Sequence, residues 1–148
     1  MISIKSKIVS RYRMLRHRSH QQKIMKKLKG ALRVVVTGCQ RSGTTAIAKM
    51  LASDLGFDFI DEHEFGIHDF DEFLKKLENE KVVIHCPALT HKLDSIATPN
   101  AVIVWVKRPF SEIRKSMDRI GWDKTEEAFE KSKYEGLQGV DFSQPIER

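Results

Sequence analysis

Short runs of apolar residues alternate with segments of helical periodicity along most of this chain. The runs are rich in β-branched and aromatic residues, which favour buried positions in a sheet. They predict four strands, over residues 33–37, 57–60, 81–86 and 101–106. Apolar positions three or four residues apart predict helices over residues 44–55, around 70–77, over 111–120 and over 123–135. The last dozen residues carry neither pattern and are predicted to form a loose tail.

The alternation of strands and helices predicts an α/β fold. Right-handed crossovers between parallel strands place helices on both faces of the sheet. We therefore expect three layers with a mainly parallel sheet of four or five strands, preceded by a basic N-terminal helix. Ligands of such sheets bind beyond the carboxyl ends of the strands. This rule directs attention to residues 38–45, 61–65, 85–87 and 107–109.

Positive charge is concentrated at the start of the chain. The formal net charge is +6, yet residues 1–33 hold 11 Lys/Arg and no acidic residue, whereas the rest hold 15 Lys/Arg against 20 Asp/Glu. Apolar residues recur at helical spacing within this basic stretch, at Ile8, Tyr12, Leu15, Ile24, Met25 and Leu28. We expect residues 1–30 to form an amphipathic arm that packs on the body or contacts a polyanion, and residues 31–148 to form one domain. A solvated basic face is the alternative interpretation.

The composition argues against several classes of protein. No stretch approaches the ~18 consecutive apolar residues of a membrane span, and the start lacks the apolar core of a secretory signal. Two cysteines are too few for a disulfide scaffold. We expect a cytoplasmic protein without a membrane span, in which Cys39 and Cys86 are small filler residues. The histidines have no metal-ligand spacing with cysteine, so no metal site is predicted.

A glycine-rich segment between the first strand and its helix is the sharpest chemical signal. Residues 38–45 read Gly-Cys-Gln-Arg-Ser-Gly-Thr-Thr, and this spacing of glycines and hydroxyl residues is that of a phosphate loop at a helix N-terminus. A loop that binds ATP has Lys where Thr44 stands, together with an acidic residue that ends a neighbouring strand. Here the third strand ends at His85 and the fourth leads into Lys107 and Arg108. The loop instead carries a positive charge at Arg41, which favours a phosphate-containing ligand that binds without a metal.

The loop resembles the phosphosulfate-binding loop of sulfotransferases, where a basic residue precedes Ser-Gly-Thr-Thr. These enzymes have a P-loop-type α/β fold, use 3′-phosphoadenosine 5′-phosphosulfate (PAPS) as donor and need no metal. The resemblance implies that the loop binds the donor through Gln40, Arg41, Ser42, Gly43, Thr44 and Thr45. Thr44 and Thr45 would donate to the 5′-phosphate, and Arg41 would stabilise the leaving phosphate.

A second motif of the family is an arginine at a strand end with a serine eight positions later. Arg108 and Ser116 have this spacing, and the resemblance implies that they hold the 3′-phosphate of the donor. Lys107 is a rival for the arginine, because Pro109 stands one position earlier than in the usual order of the motif.

The general base is predicted from a third match. The sequence His85-Cys86-Pro87 resembles the His-x-Pro at the same strand end in cytosolic sulfotransferases, where the histidine is the base. An ordinary imidazole pKa suits proton abstraction near neutral pH. A satisfied structural histidine is the alternative, and Glu62 or Glu64 after the second strand would then be the base, as in many carbohydrate and tyrosylprotein sulfotransferases.

Some features depart from the family. Ala46 stands where cytosolic members carry an adenine-stacking tryptophan, and an Arg-Lys-Gly segment is absent. We therefore predict a minimal sulfotransferase for a small-molecule or carbohydrate acceptor with a hydroxyl or amine, its acceptor pocket open or completed by a second copy in a homodimer. The alternatives are a P-loop nucleotide kinase or NTPase and a non-catalytic module that binds a nucleotide or a polyanion.

Overall fold

The computed structural model describes residues 22–95, except residue 25, and residues 101–136. Strands and helices alternate in it as the sequence predicts. The strands are β1 (Arg33–Thr37), β2 (Asp58–Asp61), β3 (Val82–His85) and β4 (Ala101–Trp105). The helices that follow β1 are α1 (Thr44–Leu55), α2 (Phe70–Lys76), α3 (Phe110–Ile120) and α4 (Lys124–Gly136). Two 3-10 segments span Glu62–Glu64 and Pro87–Ser95.

The four strands form one parallel sheet in the order β2-β3-β1-β4. β1 lies between β3 and β4, with Val36 opposite His85 and Thr37 opposite Trp105. On the other side of β3, Asp61 is the register partner of His85. All carboxyl ends therefore meet at one edge, where the loops that carry the candidate chemistry emerge.

The core lies on both faces of β1, because its side chains alternate between them. Val34 and Val36 are fully buried with Ala48 and Ala52 of α1. Val35 is fully buried in a different cluster, whose members come from α2, β3 and the segment after β3, and include Phe73, Leu77, Ile84 and Leu89. The sheet is thus covered by helices on both sides, which confirms the predicted three-layer α/β arrangement.

The end of the predicted arm packs on the body. Residues 26–30 are helical, and Leu28 is 4% exposed within the cluster on the α1 side of the sheet. The lysines around it are exposed, at positions 23, 26, 27 and 29. The predictions for residues 1–21 and for the tail after residue 136 lie outside the described residues. Of the described residues, no helix is long and apolar enough to cross a membrane.

The predicted boundaries need small corrections. β2 begins and ends one residue later than predicted, because the Phe57 N–H donates to the Ala52 carbonyl oxygen and completes the end of α1. β3 and β4 each end one residue early, at His85 and Trp105. The predicted loop over residues 61–69 includes a 3-10 turn in which Asp61 and Glu64 form a capping box. The 3-10 segment that begins at Pro87 was not predicted, since its residues carry no clear helical periodicity.

Candidate functional site

The phosphate loop has the backbone geometry of an anion cradle. Arg41 and Gly43 have left-handed φ angles of 66° and 97°, and Gly43 precedes α1 without any side-chain cap. Such turns direct successive N–H groups toward one point at a helix N-terminus. At Gly38, a Cβ atom would stand 2.5 Å from the Val106 carbonyl oxygen, so only glycine fits between β1 and the chain after β4.

One polar atom of the loop is buried without a partner. The Ser42 side chain belongs to a residue that is 7% exposed, and its hydroxyl has no hydrogen-bond partner within the described residues. A buried hydroxyl without a partner is costly, and such groups recur where a ligand supplies the missing bond. The orphaned hydroxyl and the cradle together fit a phosphate-type anion.

A buried histidine joins the loop to the end of β2. His85 is 4% exposed, and its Nε2 lies 2.9 Å from Oγ1 of Thr44 and 3.3 Å from Oγ1 of Thr45. Its Nδ1 lies 3.2 Å from Oδ2 of Asp61. The parallel register places Asp61 and His85 side by side, and the start of α1 brings the two threonine hydroxyls to Nε2. The candidate base is therefore in contact with both residues predicted to bind the 5′-phosphate.

The second motif meets the loop from the other side. Arg41 Nε donates to Ser116 Oγ across 3.3 Å, and Arg108 Nη1 donates to the Arg41 carbonyl oxygen across 3.1 Å. Ser116 is buried on α3, while Arg108 is about one-third exposed and lies 3.8 Å from Glu112. Two arginines and a serine thus converge where the ends of β1 and β4 are adjacent.

Lys107 has a different environment from Arg108. Its Nζ lies 4.1 Å from the centre of the Trp105 ring, a cation–π contact. Of Lys107 and Arg108, the two candidates for the predicted second motif, Arg108 is the one whose side chain contacts the phosphate loop. The geometry therefore favours Arg108, as the serine spacing does.

The two alternative bases have their carboxylates engaged elsewhere. Glu62 is 6% exposed, and its Oε2 accepts the Ala88 N–H across 3.0 Å. Burial raises the pKa of Glu62 above its ordinary value, against the opposing effect of this bond. Glu64 is exposed, and its Oε1 accepts the Asp61 N–H across 2.9 Å. Neither contact turns these carboxylates toward the phosphate loop.

Sequence reasoning missed a charged residue of α4 that contacts the loop, together with its partner on the same helix. Glu130 Oε2 accepts the Gln40 N–H across 2.9 Å, and the Glu130 carboxylate is also paired with Lys133. Both side chains of the pair are 3% exposed. The pattern of the helix gave no signal for them, because charges three residues apart are also typical of a solvated face.

Sequence reasoning also missed a threonine that forms hydrogen bonds where β1 enters the phosphate loop. Thr90 Oγ1 lies 2.8 Å from Thr37 Oγ1 and 3.0 Å from the Gly38 carbonyl oxygen, and both threonines are fully buried. Thr90 belongs to the 3-10 segment after β3. Its hydroxyl therefore ties that segment to the point where β1 enters the phosphate loop.

The two cysteines have the environment of filler residues. Cys39 and Cys86 are buried and free. Burial, reinforced by the charge of Glu130, raises the pKa of the Cys39 thiol to about 11, and burial raises the pKa of Cys86 further. Both are therefore neutral thiols near pH 7, which is not the state of a nucleophile. Across residues 22–95 and 101–136, apart from residue 25, no three His, Cys, Asp or Glu side chains cluster as a metal site would require.

Comparison with known proteins gives a match in structure and none in sequence. No family model and no curated protein matches the chain. Among solved structures, shikimate kinase from Bacteroides thetaiotaomicron is similar with a TM-score of 0.54 and 16% identity, over 77% of this chain and 82% of that one. Shikimate kinase from Acinetobacter baumannii, in complex with shikimate, gives a TM-score of 0.52 and 15% identity, over 76% and 79% of the two chains. At such identity the similarity establishes the fold alone, and the sulfotransferase resemblance stays a prediction. The chain therefore has a P-loop α/β fold similar to that of shikimate kinases, with its parallel sheet in the order β2-β3-β1-β4.

Proposed function

We propose that this protein is a sulfotransferase that transfers the sulfuryl group of PAPS to a hydroxyl or amine of a small-molecule or carbohydrate acceptor. The observation that carries the proposal is the meeting of two motifs far apart in the sequence. Arg41 of the loop contacts Ser116, and Arg108 contacts the Arg41 carbonyl oxygen. A nucleotide with phosphate groups at both its 5′ and 3′ positions has two anions to fill two adjacent basic sites.

The loop supplies the first of these sites. Its N–H groups, the Ser42 hydroxyl and the hydroxyls of Thr44 and Thr45 can donate to the 5′-phosphosulfate. During transfer, negative charge grows on the oxygen that bridges sulfur and phosphorus, and fixed donors stabilise that charge. Arg41 adds a guanidinium that stays protonated and can hold two oxygens at once. In this proposal the chain itself supplies the cations that neutralise the donor.

Arg108 and Ser116 supply the second site. Arg108 is partly exposed and Ser116 is buried beside Arg41, so a phosphate that enters from solvent meets a charged fork and a hydroxyl together. Hydrogen bonds to charged groups contribute about 1.5–3 kcal/mol each. The 3′-phosphate would therefore distinguish the donor from an ordinary adenine nucleotide by about tenfold or more.

His85 is the proposed general base. Its Nε2 contacts Thr44 and Thr45, which places the nitrogen beside the proposed site of the reacting phosphosulfate. The acceptor oxygen or nitrogen attacks sulfur while His85 takes its proton, and the bond from sulfur to the bridging oxygen breaks. The electron pair of that bond leaves with 3′-phosphoadenosine 5′-phosphate (PAP).

A P-loop nucleotide kinase or NTPase is the second candidate, and the similarity of fold to two shikimate kinases favours it. ATP-binding loops of this spacing place a lysine after the second glycine. Thr44 stands there, and its hydroxyl contacts His85. In a kinase, Arg41 or Arg108 would therefore have to supply the positive charge that the lysine gives to the phosphates of ATP. The two candidate functions thus differ in the nucleotide that the protein is expected to prefer.

Calorimetry with PAP, AMP and magnesium-ATP separates the candidates. We expect PAP to bind about tenfold more tightly than AMP. Arg108→Ala is expected to remove most of this preference, whereas Lys107→Ala is the matched control because the adjacent side chain contacts Trp105 instead. Equal affinity for PAP and AMP would overturn the proposal. Tight binding of magnesium-ATP with phosphate release would establish the kinase or NTPase candidate.

An assay of sulfuryl transfer from PAPS to a panel of sugars, phenols and amines then tests for catalysis. Transfer to any acceptor supports the enzyme, and loss of transfer in Arg41→Ala ties it to the loop. Preferential PAP binding without transfer to any acceptor would favour the non-catalytic nucleotide-binding module.

A further inference from the structure

Asp61 has both carboxylate oxygens occupied in a fixed arrangement. Oδ1 accepts the His63 N–H across 3.2 Å, and Oδ2 lies 3.2 Å from His85 Nδ1. The Asp61 N–H is itself held by Glu64, so the residue is locked as the first member of a capping box. Its side chain is 23% exposed and that of His85 is 5% exposed. The contact between carboxylate and imidazole is therefore set by the backbone of two adjacent strands.

This contact decides which nitrogen of His85 carries the proton. An ionised carboxylate only accepts hydrogen bonds, so Nδ1 must donate. In the neutral ring Nε2 is then the unprotonated nitrogen, and it faces the hydroxyls of Thr44 and Thr45. A protonated ring would donate from both nitrogens, to Asp61 on one side and to a threonine oxygen on the other.

Other charged groups near the ring do not compete for Nδ1. The Glu62 carboxylate accepts the Ala88 N–H, and His63 is exposed with its Nε2 3.9 Å from Asp61 Oδ1. Phe59 stacks on the imidazole with 6.5 Å between ring centres and carries no charge. Among the described residues that surround His85, Asp61 is the anion in direct contact with it.

We propose that Asp61 is a positioning residue that holds His85 in its Nδ1–H tautomer. Nε2 is thereby left unprotonated and faces the phosphate loop, and the carboxylate still accepts from Nδ1 after Nε2 has taken a proton. The catalytic consequence depends on the proposed sulfotransferase function. The tautomer itself does not, because it is a property of the protein without any donor.

Nitrogen-15 NMR of the full chain tests the tautomer directly. With His85 neutral, the wild-type protein is expected to show a protonated Nδ1 and an unprotonated Nε2. His85→Gln identifies the signals by their loss. Asp61→Ala is expected to shift the population toward the Nε2–H tautomer, while His63→Gln, which changes an exposed neighbour in the same turn, is expected to leave it unchanged. A wild-type ring protonated at Nε2 would overturn the proposal, as would an unchanged tautomer in Asp61→Ala.

Kinetics with PAPS and an accepted substrate tests the consequence. Asp61→Asn is the conservative variant for this test, because it keeps the size of the side chain and an oxygen that can accept the His63 N–H of the turn. We expect it to lower kcat about 10–100-fold, as loss of an orienting partner does elsewhere, with PAP affinity changed less than about twofold. An unchanged kcat would overturn the catalytic role of Asp61. Failure of PAP to bind the wild-type protein would instead overturn the proposed function and leave the NMR result to decide the tautomer.

Discussion

The backbone N–H of Gln40, inside the phosphate loop, donates to Oε2 of Glu130 across 2.9 Å. Glu130 lies 90 residues later in the chain, on α4, and its carboxylate is paired with the equally buried Lys133. The Cys39 thiol also lies 3.6 Å from the Glu130 carbonyl oxygen. The conformation of the loop and the position of the last described helix are therefore coupled through one glutamate.

Removal of this glutamate is expected to destabilise the protein strongly. In Glu130→Ala, Lys133 would be a buried charge without its partner, which typically costs about 3–5 kcal/mol. Urea unfolding followed by tryptophan fluorescence measures the change. Weakened binding of PAP is also expected, because the loop loses the acceptor of the Gln40 N–H.

Two variants serve as controls for the buried pair. Glu130→Leu combined with Lys133→Met removes both charges and is expected to recover most of the lost stability. Glu135→Ala breaks an exposed pair with Lys131 on the same helix and is expected to cost less than about 1 kcal/mol. If Glu130→Ala costs no more than Glu135→Ala, the pair does not contribute as described.

Substitution of Gly38 is expected to disrupt the loop. Alanine there would place its Cβ 2.5 Å from the Val106 carbonyl oxygen at a φ of 144°, so β1 and the chain after β4 would have to separate. We expect Gly38→Ala to abolish PAP binding and to lower the thermal midpoint of unfolding.

Gly121→Ala is the matched control for that substitution. Gly121 also has a positive φ, of 75°, but a Cβ atom added there would meet nothing within 4 Å. The cost is then the left-handed backbone alone, about 1–2 kcal/mol, with PAP binding retained. Equal losses of binding in both variants would show that crowding against Val106 is not the cause.

The elements and the loop were predictable because their signals are local. Buried parallel strands must be apolar on both faces, so Val34, Val35 and Val36 stand out as a run. The glycines of the phosphate loop are required by backbone geometry at fixed spacing. The resemblance to a family then supplied Arg108 and Ser116, and the structure brings both to the loop.

The contacts that surround the site were not predictable, because they depend on packing between distant segments. Glu130 and Lys133 have the spacing of an exposed pair but lie inward on α4. Thr90 is one polar residue in a segment without periodicity, yet it is fully buried against Thr37. Asp61 reaches His85 only through the register of β2 and β3. Residues of these types are usually exposed and without fixed partners, so their contacts are visible only in the fold.

The stability of the protein is expected to depend on pH through Glu62. Burial raises the pKa of this carboxyl in the folded state, so folding holds its proton to higher pH than the unfolded chain does. The contribution of this carboxyl to the free energy of unfolding is fully present below its pKa in the unfolded chain, about 4.3. It is lost as the pH rises through the pKa of the carboxyl in the folded protein. Glu62→Gln does not titrate and can still accept the Ala88 N–H. Its free energy of unfolding, relative to the wild type, is therefore expected to rise as the pH increases above the unfolded pKa of the carboxyl.

Urea unfolding at several pH values measures this difference. Glu64→Gln is the control, because the neighbouring carboxylate is exposed in the same turn and its amide can keep the bond to Asp61. The difference between Glu64→Gln and the wild type gives the effect of removing an exposed carboxylate from this turn, and it is subtracted from the effect of Glu62→Gln. A constant difference between Glu62→Gln and the wild type would contradict a raised pKa at Glu62.

The basic arm is expected to bind polyanions independently of the nucleotide site. Leu28 is buried against the body, so a deletion that removed all of residues 1–30 would damage the core and obscure the effect on binding. Deletion of residues 1–21 leaves these contacts intact while removing six of the 11 basic residues that precede residue 34.

We expect the shortened protein to elute from immobilised heparin at lower salt than the full chain, since each lost cation reduces the salt-dependent part of the affinity. PAP affinity is expected to stay within about twofold, because the loop, Arg108 and Ser116 are unchanged. Elution at the same salt concentration would show that residues 1–21 do not bind polyanions and favour a solvated basic face. A loss of PAP affinity would instead show that these residues contribute to the donor site.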